Sequence, residues 1–256
     1  MDSNKPKITC FVCNWAHEVE FVPEEKRKVP SSISVVRMMC IGRIDPIVIL
    51  ETFIKGIDGI LLVGCAFPDC HFVEGSTQAE LTVNVLKKLL ALACLEPERL
   101  ELCWVSPLEE ISLNKILEDF SKKIKKLGSS PLAEEKCDVN VLENMLAAKG
   151  AVSDFCLRAW IGKEKELTEG RNVYGESISR EEFDTLLDEV AKTEFIRHKI
   201  LLLTKKKAYS VKELANALNL KPTGVLRHIL NMRRKGMIAL DHVDGTTPLY
   251  KALEVS

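Results

Sequence analysis

The residues with the most chemistry in this 256-residue chain are its nine cysteines. Five of them, Cys10, Cys13, Cys40, Cys65 and Cys70, fall within the first 70 positions. The stretch VGCAFPDCH (63–71) holds two of these, with His71 directly after the second. Thiolates are the natural ligands of zinc and of iron–sulfur clusters, and they also serve redox exchange. An odd cysteine count behind the polar start MDSNKPK argues against a disulfide framework and for a cytoplasmic chain. Cys94, Cys103, Cys137 and Cys156 are scattered and read as small buried hydrophobes. Nothing in the sequence suggests a general base, a nucleophile or a substrate pocket. No GxGxxG follows an expected strand, so a dinucleotide fingerprint is absent.

The elements that must position the cysteines alternate in type. KITCFVC (7–13), SISVVRMMC (32–40), GILLVGC (59–65) and RLELCWVS (99–106) read as strands. Helices are expected at PIVILETFIKG (46–56), opened by Asp45-Pro46, at 79–95, and at 111–128 with lysines before a terminating Gly128. Continuous apolar strands joined by helices imply a parallel sheet covered on both faces. The fold expected is therefore α/β, a small four-stranded parallel sheet flanked by helices over residues 1–128. SSPL (129–132) reads as a linker into a helical connecting segment, 129–195, with Ser179 and Glu182 as a capping box. Residues 196–256 run helix, helix, helix, hairpin, the order of a winged helix-turn-helix domain. Ser210 and Glu213 form a second capping box there, and Asp244-Gly245 marks the hairpin tip. No apolar run approaches the ~20 residues of a membrane span.

These elements bring the cysteines together. Cys13, Cys40 and Cys65 each end an expected strand, and in a parallel sheet those ends share the edge where ligands bind. Cys70 follows in a loop that can fold back over the same edge. Four thiolates there suit tetrahedral zinc or an iron–sulfur cluster. Structural zinc sites usually draw on tight cysteine pairs. The one tight pair, Cys10 and Cys13, is turned to opposite faces by strand alternation, which favours a cluster over zinc. A thioredoxin-like reaction would need its CxxC at a helix start. Buried inert thiols are the bland alternative.

The segments FVCNW, VVRMMCIGRIDP, GILLVGCAFPDCHFVEG, LKKLL, ERLELCWVS and the closing LG occur in order over about residues 6–128. Together they resemble the delta subunit of methyl-viologen-reducing hydrogenase. The resemblance implies a small α/β fold with one [2Fe–2S] cluster. It implies electron transfer between two partners. One is a heterodisulfide reductase A-like flavin subunit; the other is a redox subunit of hydrogenase, dehydrogenase or benzoyl-CoA reductase type. Such complexes are often electron-bifurcating. The matching ligands are Cys13, Cys40, Cys65 and Cys70, with Cys10 in reserve. Departures are Ala16 at a family cysteine, Ala66 at a histidine, Pro68 at a glycine and Ser76 at an asparagine. Trp15 is expected to shield the site, and His71 to hydrogen-bond a sulfur or a backbone carbonyl. Arg37, Arg43 and Asp45 match the GRIDP region, either as an ion pair fixing the loop or as positive charge beside the cluster.

Charge divides the chain. Residues 196–256 carry twelve lysines and arginines against four acids, a net +8 that leaves −9 for the rest. Within the expected winged helix, Arg227, His228, Arg233 and Arg234, with Lys205, Lys206 and Lys207, are candidates for DNA contacts. The arginines gather toward the C-terminal end of the third helix, whereas base-reading residues usually sit at its start. Docking onto acidic subunits is thus favoured over DNA binding. The function expected is an electron-transfer subunit of an oxidoreductase complex, itself without bond chemistry. The alternative is a redox-sensing iron–sulfur transcription regulator.

Overall fold

A computed structural model describes residues 5–16, 32–105, 113–133, 137–171 and 174–253. Two compact units divide the chain: 1–145 with 161–164, and 146–160 with 165–256.

The first unit is built on four parallel strands, β1 (Ile8–Cys13), β2 (Ile33–Met38), β3 (Gly59–Cys65) and β4 (Leu100–Val105), in the order β2-β1-β3-β4. All residues of β1 and β3 are buried, which is why those strands read as unbroken apolar runs. β2, at the sheet edge, buries only Ile33 fully and leaves Ser34, Val36 and Arg37 exposed. The helices are α1 (Pro46–Ile54), α2 (Gly75–Leu92) and α3 (Leu113–Leu127), followed by α4 (Val139–Ser153), within which the two units meet in sequence. Asp45 caps α1, its carboxylate accepting from the Ile47 N–H at 2.9 Å. Asp45 thus opens the helix expected at Asp45-Pro46. Helix α2 begins four residues before the expected start, and β2 ends two residues before Cys40. The first two residues of the helix expected at 111–128 lie outside the described residues.

The chain enters at β1, moves to the edge at β2, then crosses to β3 on the other side of β1. That reversal makes the C-terminal ends of β1 and β3 the topological switch point, where open parallel sheets bind ligands.

The opposite end of the sheet is closed by Arg99, a side chain 1% exposed. Its guanidinium donates to the Glu96 carboxylate at 2.8 Å and to the carbonyls of Asp58 and Gly128 at 3.0 Å each, with Ser129 at 3.4 Å. Asp58 in turn accepts from the N–H groups of Lys7 (2.8 Å) and Ser130 (2.6 Å). Residues 129–132, expected as a linker, are thus fastened to the first unit, with Ser130 and Leu132 buried. The polar stretch after 162 contains a short helix, α6 (Glu164–Glu169), preceded by α5 (Phe155–Gly162).

In the second unit α7 runs unbroken over Arg180–Lys206, through the boundary expected at 195, with Ser179 accepting from the Glu182 N–H. Next come β5 (Tyr209–Ser210), α8 (Val211–Leu218), α9 (Pro222–Arg234), β6 (Ile238–Asp244) and β7 (Thr247–Ala252). The small sheet has the order β5-β7-β6 and is antiparallel. Ser210 and Glu213 satisfy both halves of a capping box at α8. Ile200, Leu214, Val225, Ile229, Met232, Ile238 and Tyr250 form its core. No described helix is long and apolar enough to cross a membrane.

Candidate metal centre

The switch point gathers four buried free thiols. Cys13 is the last residue of β1, and its Sγ–H points to the Met39 carbonyl at 3.5 Å. Cys65 is the last residue of β3. Cys40 lies two residues past β2 and opens a single 3-10 turn at 41–43, where the Arg43 N–H donates to the Cys40 carbonyl at 3.1 Å. Cys70 sits in the loop between β3 and α2, its carbonyl accepting from the Val73 N–H at 2.9 Å. Val73 has φ +62, a left-handed conformation costly for a β-branched residue, so the loop is held against its own preference.

Two glycines let these pieces close. A Cβ on Gly75 would stand 2.6 Å from Cys40 Sγ and 3.1 Å from Cys70 Sγ. Both sulfurs therefore press over the first residue of α2. A Cβ on Gly42 would collide with the Gly75 backbone, so the turn carrying Cys40 seats directly on that helix start.

Electrostatics joins all four. Burial raises the Cys65 thiol to about 12; the Cys70 sulfur beside it adds to the rise and the His71 N–H opposes it. Burial also pushes Cys70 upward. The N–H groups of Phe72 and Ser76, then Cys65 and the Ser76 hydroxyl, more than offset this and hold Cys70 below a free thiol. The pair is thus uneven: its surroundings favour the proton on Cys65 over Cys70. Cys40 is raised, first by burial and then by the nearby Cys13 and Cys70 sulfurs, against the Gly42 N–H. The buried Ser76 hydroxyl finds no partner beyond the Cys70 sulfur among the described residues. Inward N–H donors and four soft sulfur ligands make a pocket suited to a metal group whose sulfurs accept hydrogen bonds.

Cys10 is not part of this group. It lies mid-strand, fully buried between Val35 and Leu61 in register, and burial raises it to about 12, with Cys103 its one charged influence. Of the four scattered cysteines, Cys94 and Cys137 are exposed rather than buried, and Cys103 and Cys156 are half-buried. Ala16 is buried beside the Cys13 turn, its N–H donating to the Cys13 carbonyl at 3.2 Å. Trp15 stacks on the His71 ring, centroids 3.5 Å apart and planes 7° apart. His71 therefore meets the sulfurs through its backbone N–H while its ring packs on Trp15. Sequence reasoning misses the start of α2 at Gly75-Ser76. Its signal is the glycine itself, which the helical spacing beginning at Ala79 obscures.

Trp15, Met39, Phe67, Phe72 and Val73 surround the thiols, and all are exposed, Phe67 to 74% and Val73 to 71%.

Comparison with known proteins bears on the same segment. A family model described as methyl-viologen-reducing hydrogenase, delta subunit, matches residues 8–128. The chain is 35% identical over 126 residues to an F420-non-reducing hydrogenase iron-sulfur subunit of Archaeoglobus profundus, covering 48% of this chain and 92% of the relative. It is 34% identical over 132 residues to the vhc iron-sulfur subunit of the F420-non-reducing hydrogenase of Methanococcus voltae, covering 51% and 92%. A further match, 30% identical over 135 residues, is to the A-type subunit of the ferredoxin/F(420)H(2)-dependent CoB-CoM heterodisulfide reductase of Methanosarcina acetivorans. It covers 52% of this chain but 17% of that protein. The family match ends at residue 128, before the α7–β7 region of the second unit begins. A matching family model and a relative covered almost end to end lead to one conclusion: the chain belongs to the methyl-viologen-reducing hydrogenase delta subunit family.

Proposed function

We propose that the first unit holds one [2Fe–2S] cluster on Cys13, Cys40, Cys65 and Cys70. The chain would then be the electron-transfer subunit of a cytoplasmic, flavin-based electron-bifurcating complex. Its partners would be a second redox subunit together with a heterodisulfide reductase A-like flavin subunit. The observation that carries this reading is the convergence of four buried thiols at the switch point. Four cysteines match the ligand count of such a cluster. The cluster supplies reversible one-electron transfer. The chain does the rest. The N–H groups of His71, Phe72 and Ser76 donate to the sulfurs and spread their negative charge. Trp15 stacked on His71 limits water, and the exposed apolar rim lets a partner approach closely. Cys10 stands outside the ligand set.

Gly75→Ala tests this packing. Its methyl group needs the space of the Cys40 sulfur, so the variant is expected to fold with unchanged circular dichroism yet retain less than about a fifth of its iron. Full iron content in Gly75→Ala would contradict the cage.

The second unit supports docking. We read α7–β7 as a winged helix whose α9 exposes Leu226 and Leu230, one turn apart on one face. Apolar residues on that face suit a protein groove better than a DNA groove, which takes polar side chains. The exposed Arg227 and Arg234 on the same helix, within a +8 segment, favour the other reading, a DNA-binding redox regulator. Affinity purification of the tagged chain decides between them. The electron-transfer reading expects a large flavoprotein to co-purify, and Leu226→Asp with Leu230→Asp to release it. Duplex-DNA affinity that falls steeply with salt and changes with cluster oxidation would establish the regulator instead.

A further inference from the structure

The second unit contains a polar cluster that the electron-transfer reading does not use. Glu194 and His198 lie one turn apart on the same face of α7. Asp154 stands at the junction between α4 and α5. One carboxylate oxygen of Asp154, one of Glu194 and an imidazole nitrogen of His198 all lie within 4.8 Å of one another. The Asp154 carboxylate already accepts from the Cys156 N–H through Oδ1 at 2.8 Å, which leaves Oδ2 facing His198 Nε2 at 3.9 Å.

The cluster is built, not merely crowded. Glu194 is 1% exposed. One of its carboxylate oxygens is held by the Arg197 guanidinium, while Oε2 has no partner. His198 Nε2 is likewise buried without a hydrogen-bond partner. A Cβ on Gly150 would collide with His198 Nδ1, so a glycine stands where the imidazole needs room. An orphaned buried carboxylate oxygen is costly unless something cationic meets it. Burial lowers the His198 pKa against the opposing Asp154 carboxylate, and the neutral imidazole this favours is the form that binds metals. Lys205 and Lys235 also act on His198, and Lys235 on Glu194.

We propose that Asp154, Glu194 and His198 bind a divalent zinc-class ion that pins the α4–α5 junction to α7. Two carboxylates and one imidazole are a common ligand set for such ions, leaving one position for water. Bonds of about 2.1 Å in tetrahedral geometry set ligand atoms about 3.4 Å apart. Side-chain rotation closes the remaining gap. Arg197 fixes the glutamate from outside, as an outer-shell partner does.

The test uses the full chain carrying its iron. Zinc chloride is added, the protein is desalted, iron and zinc are counted together, and the zinc shell is read by X-ray absorption. The proposal expects one retained zinc per chain with only nitrogen and oxygen neighbours. It expects Asp154→Asn and Glu194→Gln each to weaken zinc binding on the order of a hundredfold. No retained zinc, a shell of sulfur alone, or undiminished affinity in the variants overturns it. If Glu194→Gln does not fold, Asp154→Asn alone decides, because its Oδ1 can still accept from Cys156. Iron content is read separately, so failure here is distinct from failure of the cluster assignment.

Discussion

Cys65→Ser and Cys70→Ser are each expected to strip the chain of iron, while Cys10→Ser leaves it in place. The two residues are neighbours at the switch point: burial raises the Cys65 thiol, while the backbone N–H groups of Phe72 and Ser76 lower that of Cys70. Serine oxygen is a harder ligand than thiolate and binds iron less well in such a site. Loss at Cys65 also removes the one sulfur that ends the central strand β3, so nothing on that strand replaces it. Cys10 faces Val35 and Leu61 within the sheet and has no sulfur of the cage beside it. Its serine variant should cost about 1–2 kcal/mol of stability, from burying a hydroxyl, and no iron. Iron per chain after purification, with urea denaturation for stability, checks all three variants. Iron lost from Cys10→Ser and kept in Cys65→Ser would reverse the ligand assignment.

The largest stability effect is expected at Arg99. Arg99→Met removes a guanidinium that satisfies three backbone carbonyls and is itself almost fully buried. Glu96 is partly exposed and returns to water, but the carbonyls of Asp58 and Gly128 lose their charged donor. The cost is about 3–5 kcal/mol, the range found when one partner of a buried charged network is removed. Residues 129–132 should then become the first protease-sensitive segment of the first unit. Urea unfolding followed by limited proteolysis measures both, and a loss under about 1 kcal/mol would mean the clamp is not structural. Arg99 lies at the opposite end of the sheet from the thiols, so iron content should hold in the folded fraction.

Sequence pattern and structure agree where burial alone sets the pattern. The unbroken apolar runs of β1 and β3 mark central parallel strands, and Gly128 and Asp45 mark helix ends through turn and cap chemistry. Cys13 and Cys65 are legible at strand ends for the same reason. What the pattern does not carry is long-range. Arg99 reads as the first residue of the strand RLELCWVS, with no local sign of a buried charge, yet carbonyls about thirty residues ahead in sequence draw it inward. That hidden tie is why 129–132 read as a linker. Cys40 reads as a strand end because SISVVRMMC stays apolar to its last residue. Its actual placement depends on Gly42 meeting Gly75, a backbone contact that no local periodicity reports. The cluster of Asp154, Glu194 and His198 is invisible in sequence for a similar reason: Asp154 lies forty or more residues before the other two and sits in a helix-joining turn.

The most direct test of the central claim is to count iron and acid-labile sulfide in the purified chain and record its EPR spectrum after dithionite reduction. Two irons, two sulfides and a single spin-one-half signal per chain are the expected result. A chain that carries zinc alone in its cysteine site, or four irons, would contradict it.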